Sequence, residues 1–319
     1  MILFSCEGYE HISRHFRTNR GISSGEFTIG RYENQELHAR VQKPVSGEHC
    51  LVLGSIAPPD SQLLSFALLG HTLKKEEAST VTAILPYLAY TRQDKDKAGE
   101  SLGAAWIGSL LKASGFDQIL TVDLHSERDK KLMAVPILSI SPAAVFAETI
   151  KNYKLTDATI VAPDGGAIRR CEDVKDAAGM PSCETPFFEK KRTDTGIIHR
   201  GPIGDVSRRV IIIDDMLDTG GTLVSACEKL VEANAEEIYI LVTHGLFTGT
   251  GWTKLWSLRV KRIFCTDTVP VPASINTETI TILPVAPLLC ETLARISKAQ
   301  RNPEEVSDSA SERHPDNFN

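Results

Sequence analysis

Short apolar runs rich in β-branched residues recur along the chain: 50-CLVLGS-55, 80-TVTAIL-85, 118-QILTVD-123, 158-ATIVAP-163, 209-RVIIID-214 and 237-EIYILVT-243. Runs that stay apolar, rather than alternating with polar residues, suit parallel strands covered on both faces. Between them lie segments with helical periodicity, at 60–75, 101–114, 141–152 and 221–233. Strand and helix alternating in this way predicts an α/β protein with doubly wound parallel sheets. The 319 residues suffice for two domains of ordinary size. The alternation runs through twice, so the expected division is one domain over 1–146 and a second over 147–284. A helix within 285–300 should pack back on the first half. The stretch 301–319, with little apolar beyond Val306 and Phe318, should be a disordered tail.

Composition narrows the function. Hydrophobic residues at 42% and charged residues at 24% match a globular protein, and a net charge of −6 argues against a nucleic-acid-binding face. Neither a signal peptide nor a run long enough to span a membrane is present, so no membrane partner is expected. The seven cysteines are scattered without a C-x-x-C pair, which suits reduced thiols and a cytoplasmic location.

The acids at the strand ends carry the chemistry. Ligands of open α/β sheets bind beyond the carboxyl ends of the strands, and there the sequence places Asp123, Asp164 and the pair Asp214–Asp215. Alone, each would read as a turn or cap residue; together they suggest a polar site for hydroxyls or a hard cation. The most specific segment is 210-VIIIDDMLDTGGTL-223. Its glycines let backbone N–H groups turn around an anion at a helix N-terminus. Its two aspartates repel phosphate but accept hydrogen bonds from vicinal hydroxyls. Asp214, Asp215, Asp218, Thr219, Gly220, Gly221 and Thr222 therefore read as one loop holding a pentose by its diol and its 5-phosphate.

This segment resembles the ribose-phosphate loop shared by phosphoribosyltransferases and ribose-phosphate pyrophosphokinases. Further motifs resemble the second group: 85-LPYLAYTRQDKDK-97, 122-VDLH-125, 162-APDGGAIRR-170, 189-EKKR-192 and 285-VAPLL-289, in family order. The resemblance implies two domains of the type I phosphoribosyltransferase kind, with the ATP side on the first and the ribose 5-phosphate loop on the second. It implies transfer of a pyrophosphoryl group from ATP to ribose 5-phosphate, with Mg²⁺ as cofactor. Arg92, Gln93 and His125 would lie along ATP, and His125 and Asp164 would help hold the metal. Lys190 and Arg192 would be catalytic, on a mobile loop closing over the transferring group. The segment 31-RYENQE-36 resembles one that reaches the adenine of a neighbouring subunit, so Tyr32, Asn34 and Glu36 would bind the base in a homo-oligomer, a hexamer of dimers. Asn34 and Gln35 stand where the family usually has Asp and Gly, and Glu189 and Lys191 where Asp and Arg are usual. Two other readings remain: a phosphoribosyltransferase, which would not need the R-Q-D, D-L-H and K-x-R elements, and a non-catalytic regulatory homologue, which should have lost Lys190, Arg192, His125 or Asp164. Arg169, Arg170, Arg208 and Arg209 read as surface or oligomer contacts.

Overall fold

A computed structural model describes residues 1–18, 21–181, 183–193, 196–272 and 275–301, without the side chains of 190–199 and 297–301. The expected tail falls, from residue 302 on, outside the described residues. Two parallel sheets dominate. The first has six strands in the order Ser23–Ser24, Ile2–Ser5, His49–Leu53, Thr80–Ile84, Gln118–Val122, Ile137–Ile140. The second has five, in the order Ile280–Leu283, Val260–Thr266, Glu237–Gly245, Arg209–Leu217, Thr159–Val161.

Both sheets are covered on both faces, which is why their strands are apolar without interruption. Successive strand side chains point to opposite faces. Cys50, Val52, Val81 and Ala83 accordingly join one core with the helices Asp60–Lys75 and Gly103–Ala113. Leu51, Leu53, Ile84 and Leu120 join another with Ile12, Phe16, Leu289 and Leu293, the last two from the helix Ala286–Arg301. In the second sheet Val210 and Ile212 face the helix Gly221–Glu232, whereas Ile211 and Ile213 face the helices Ala143–Asn152 and Ile168–Ala178. Each fully buried aliphatic side chain of this kind stabilises by about 1.5–3 kcal/mol relative to exposure.

Two antiparallel hairpins project from the sheets, the second joined to the edge strand Thr159–Val161 through a bridge between Phe187 and Ala162. One joins Phe27–Arg31 to Leu37–Val41. The other joins Phe187–Thr193 to Gly196–Ile203, pairing Lys190 with His199 and Arg192 with Ile197. The segment around Lys190 and Arg192, expected as a loop, is thus a strand in its backbone. The β-branched residues Thr193, Ile197 and Ile198 favour that conformation, and it gives the backbone of this arm its own hydrogen-bond partners.

Candidate active site

The site lies where the carboxyl ends of the two sheets face each other. A cleft of about 900 Å³ is lined by Arg92, Gln93, Asp94, Lys95, His125, Arg128, Asp164, Arg170, Asp214 and Asp215, among others. A smaller cavity of about 220 Å³ adjoins it, lined by Arg92, His125, Asp164 and the whole run 214–223. Arg92, His125, Asp164, Asp214 and Asp215 border both, so residues far apart in sequence share one wall.

The smaller cavity is built by the strand Arg209–Leu217 and the helix Gly221–Glu232. Gly220, at φ +87°, turns the chain into the helix in a left-handed conformation that glycine adopts without strain. No side chain caps this helix. Its first N–H groups have no partner within the helix, and with the helix dipole they make a cradle for an anion. Thr219 and Thr222 line the same space.

The carboxylates beside the cradle are unequal. The Asp215 side chain is buried and accepts a 2.5 Å hydrogen bond from Nδ1 of His125. Asp214 Oδ1 accepts from the N–H of Asp215 at 2.9 Å. Burial, then the charge of Asp215, push Asp214 well above the ordinary carboxylate range. Burial also works against ionisation of Asp215, but the His125 bond and the nearby Arg170 charge outweigh it and hold Asp215 low. The same bond raises His125. The pair is therefore uneven: Asp215 holds its charge more firmly than Asp214. A second bridge crosses the cleft between Arg92 Nη1 and Asp218 Oδ2, at 2.5 Å. The residues read as facing ATP are thus bonded to the residues read as facing the sugar.

Asp164 ends the strand Thr159–Val161 by way of Ala162 and Pro163, and its Oδ1 accepts from the N–H of Gly166 at 2.9 Å. Gln93 Oε1 accepts from the Ser101 hydroxyl at 2.7 Å, which fixes its amide on the cleft wall. Tyr32, Asn34 and Glu36 are not brought to this cleft. They sit at the exposed tip of the first hairpin, where Tyr32 is 59% exposed and packs on His38 at 4.8 Å. Asn34 Oδ1 accepts from the N–H of Glu36 at 3.1 Å, a turn-forming role. Lys190 and Arg192 are on the second hairpin, and their side chains lie outside the described residues.

Two expectations need correction. Asp123 does not offer its carboxylate to a ligand: both oxygens accept from Nε of Arg170 at 3.0 Å, and the Thr243 hydroxyl donates to one of them. Its carbonyl receives His244 Nε2 at 3.4 Å. Nor is Arg170 a surface residue, since its side chain is only 16% exposed. This clasp ties the end of the strand Gln118–Val122, two residues before His125, to the second sheet at Thr243. A buried carboxylate must be paired, and the partner came from a helix 47 residues away. Among the described residues only Nε of Arg170 is used in hydrogen bonds, and Arg170 also lines the cleft. Among the described residues no helix is long and apolar enough to cross a membrane.

Residues 1–115 match the family described as the N-terminal domain of ribose phosphate pyrophosphokinase, and residues 164–303 match the phosphoribosyl synthetase-associated domain. The ribose-phosphate pyrophosphokinase of Corynebacterium efficiens is 30% identical over 303 residues, covering 93% of this chain and 92% of that protein. That of Haemophilus ducreyi is 29% identical over 305 residues, covering 93% and 96%. The crystal structure of phosphoribosylpyrophosphate synthetase from Mycobacterium smegmatis superposes with a TM-score of 0.81 at 27% identity, covering 93% of this chain and 98% of that one.

Proposed function

Because the chain belongs to the ribose-phosphate pyrophosphokinase family, we propose that it transfers the β,γ-pyrophosphoryl group of ATP to the 1-hydroxyl of ribose 5-phosphate, giving 5-phosphoribosyl 1-pyrophosphate and AMP for nucleotide biosynthesis. The observation that carries this reading is the shared wall of the two cavities: an anion cradle with adjacent carboxylates opens directly onto a cleft lined by Arg92, His125 and Arg170. A phosphoribosyltransferase needs the cradle but not a second cleft with Arg92, His125 and Arg170 on its wall.

Phosphoryl-type transfer asks the protein for alignment and charge neutralisation rather than covalent chemistry. The 5-phosphate takes the N–H groups and hydroxyls of 219–222, while Asp214 and Asp215 accept from the ring hydroxyls. That leaves the 1-hydroxyl toward the cleft. Arg92, Gln93 and the free N–H groups of Arg170 orient the triphosphate, and the 1-hydroxyl attacks the β-phosphorus as AMP leaves. Substrates must break the His125–Asp215 and Arg92–Asp218 bridges, which releases cations to phosphate and carboxylates to sugar. Lys190 and Arg192, on their hairpin arm, stabilise charge that develops during transfer. Covering the cleft excludes water as a competing nucleophile.

The donors suit Mg²⁺, which takes oxygen ligands, keeps several waters and draws its remaining ligands from substrate phosphates. Asp164 would supply the protein oxygen, and His125 would act through water. Bound there, Mg²⁺ would neutralise phosphate charge. Unpaired cysteines support a cytoplasmic enzyme.

Replacing Asp215 with Ala should weaken ribose 5-phosphate by about 1.5–3 kcal/mol, roughly ten- to 150-fold, the value of a charge-assisted hydrogen bond. The KM for ribose 5-phosphate at saturating ATP reads this directly. An unchanged KM would remove Asp215 from the sugar site.

The distance of Tyr32, Asn34 and Glu36 from their own cleft supports a site completed by a second chain, in a hexamer of dimers. Glu36→Ala and Lys190→Ala should each be nearly inactive alone. Oligomers reassembled from equal amounts of both should recover activity at roughly a quarter of their sites, those drawing each intact element from a different chain. A fully active monomer, or no recovery after verified mixing, rules the shared site out.

A further inference from the structure

Most cations on the wall of the larger cleft already have an acid. Arg92 is bridged to Asp218, Arg170 to Asp123 and His125 to Asp215, and Lys97 pairs with Glu100 at 3.1 Å. Arg128 lines the same cleft, is exposed, and forms no ion pair among the described residues. Its neighbour Glu127 is bonded to Lys130 instead, at 2.9 Å. Lys95 is the other cation of the wall in that state, but it lies in the stretch 93–100, which has neither helix nor strand. Arg128 is anchored. It lies in the first turn of the short helix Glu127–Leu132, where the Ser126 hydroxyl accepts from the Arg128 N–H at 3.1 Å. Asp129, fully buried, accepts from the Ser126 N–H through Oδ2 at 3.1 Å, and this reciprocal cap fixes the turn at its start. At its end, a Cβ on Gly108 would lie 2.8 Å from Cα of Met133 and 2.9 Å from the backbone nitrogen of Ala134. The helix Gly103–Ala113 is thus seated directly on the chain there.

We propose that Arg128 takes the terminal phosphate of the donor, and so selects a nucleoside triphosphate over a diphosphate. This deepens the proposed function and rests on it. Arg92, His125, Asp164, Asp214 and Asp215 border both cavities, which puts the reacting phosphorus at that shared wall, whereas Arg128 borders only the larger cleft. It therefore meets a phosphate beyond the reacting one. Of the two neighbours of the β-phosphate, the α is linked on both sides and keeps one charge. The terminal γ ends the chain, gains a second charge with a pKa of about 6, and is the stronger partner for a bidentate guanidinium. A diphosphate whose outer phosphate sits at the shared wall has nothing to offer Arg128. It would also leave only a phosphoryl group to transfer. The contact that tightens the triphosphate thus also keeps the transferred unit a pyrophosphoryl group.

Calorimetry on the full chain with Mg²⁺ compares three ligands: an ATP analogue bearing a methylene bridge between its α- and β-phosphates, ADP, and AMP. Arg128→Met, which keeps the length of the side chain and removes the charge, should weaken the analogue about tenfold, the loss of a hydrogen bond to a charged group. ADP and AMP should bind as they do to wild type. Arg128→Lys keeps a charge on the turn without the planar fork, and its loss should fall between. Ribose 5-phosphate affinity should be unchanged in both variants, which a disrupted turn beside His125 would not allow. Equal weakening of the analogue and ADP puts the guanidinium on an inner phosphate and overturns the proposal. An analogue affinity unchanged in Arg128→Met overturns it as well. A wild-type chain that binds neither the analogue nor ADP overturns the proposed function along with it, whereas wild-type binding with the same triphosphate preference in every variant overturns this inference alone.

Discussion

Replacing Arg170 with Met is expected to be among the most destabilising single changes available near the cleft, lowering unfolding free energy by about 3–5 kcal/mol. The cost comes from what stays behind. Asp123 is 11% exposed in its side chain, accepts from Arg170 Nε through both oxygens, and among the described residues has only the Thr243 hydroxyl as its other side-chain hydrogen-bond partner. Without Arg170 its carboxylate is buried near the Asp214–Asp215 pair, whose charge Arg170 also offsets. Adding Asp123→Asn to Arg170→Met should recover part of the loss, because the stranded charge is then gone. Urea unfolding of the two single variants and the double variant measures the coupling. A loss below about 1 kcal/mol in Arg170→Met, or strict additivity in the double variant, would show that the clasp is not a coupled buried pair.

Lys190→Ala is expected to have the largest effect on catalysis, lowering kcat about 10²- to 10³-fold, the range for removing a donor aimed at developing charge. The KM values for both substrates should stay near wild type, because the partner of this ammonium forms mainly in the transition state. Steady-state kinetics at saturating substrates separate the two effects. A loss of ATP affinity with turnover intact would make Lys190 a ground-state ligand instead.

The elements visible in the sequence are those whose pattern is local. Asp60–Lys75 forms the helix read at 60–75, and each of the apolar runs overlaps a strand of a parallel sheet. Burial on both faces leaves an unbroken apolar signal that a single sequence can show. The hairpins Phe27–Arg31 with Leu37–Val41 and Phe187–Thr193 with Gly196–Ile203 left no such signal, since their residues are short, polar-rich and outside either sheet. The edge strand Ile137–Ile140 did not stand out, because serine breaks its apolar run and its residues are only partly buried. In the site, the loop 214–222 was legible because glycines, threonines and carboxylates in that order have few other uses. Arg170 was not: an arginine on a helix reads as solvated, and only the fold brings Asp123 to it. The clues were weak but present, in an Asp closing an apolar strand and an Arg following Asp164-Gly165-Gly166. The seating of Gly251 and Trp252 against Thr219 and Gly220 carried no sequence signal, because it is a close approach of two backbone segments distant in sequence.

Pyrophosphoryl transfer from ATP to ribose 5-phosphate by this one chain type is directly measurable. The purified protein is incubated with Mg²⁺, ribose 5-phosphate and ATP labelled at the β-phosphate, and the products are separated. The account predicts AMP and labelled 5-phosphoribosyl 1-pyrophosphate in equal amounts, dependent on ribose 5-phosphate and abolished by chelating the metal. ADP in place of AMP, or no turnover by a folded oligomer that binds both substrates, would contradict it.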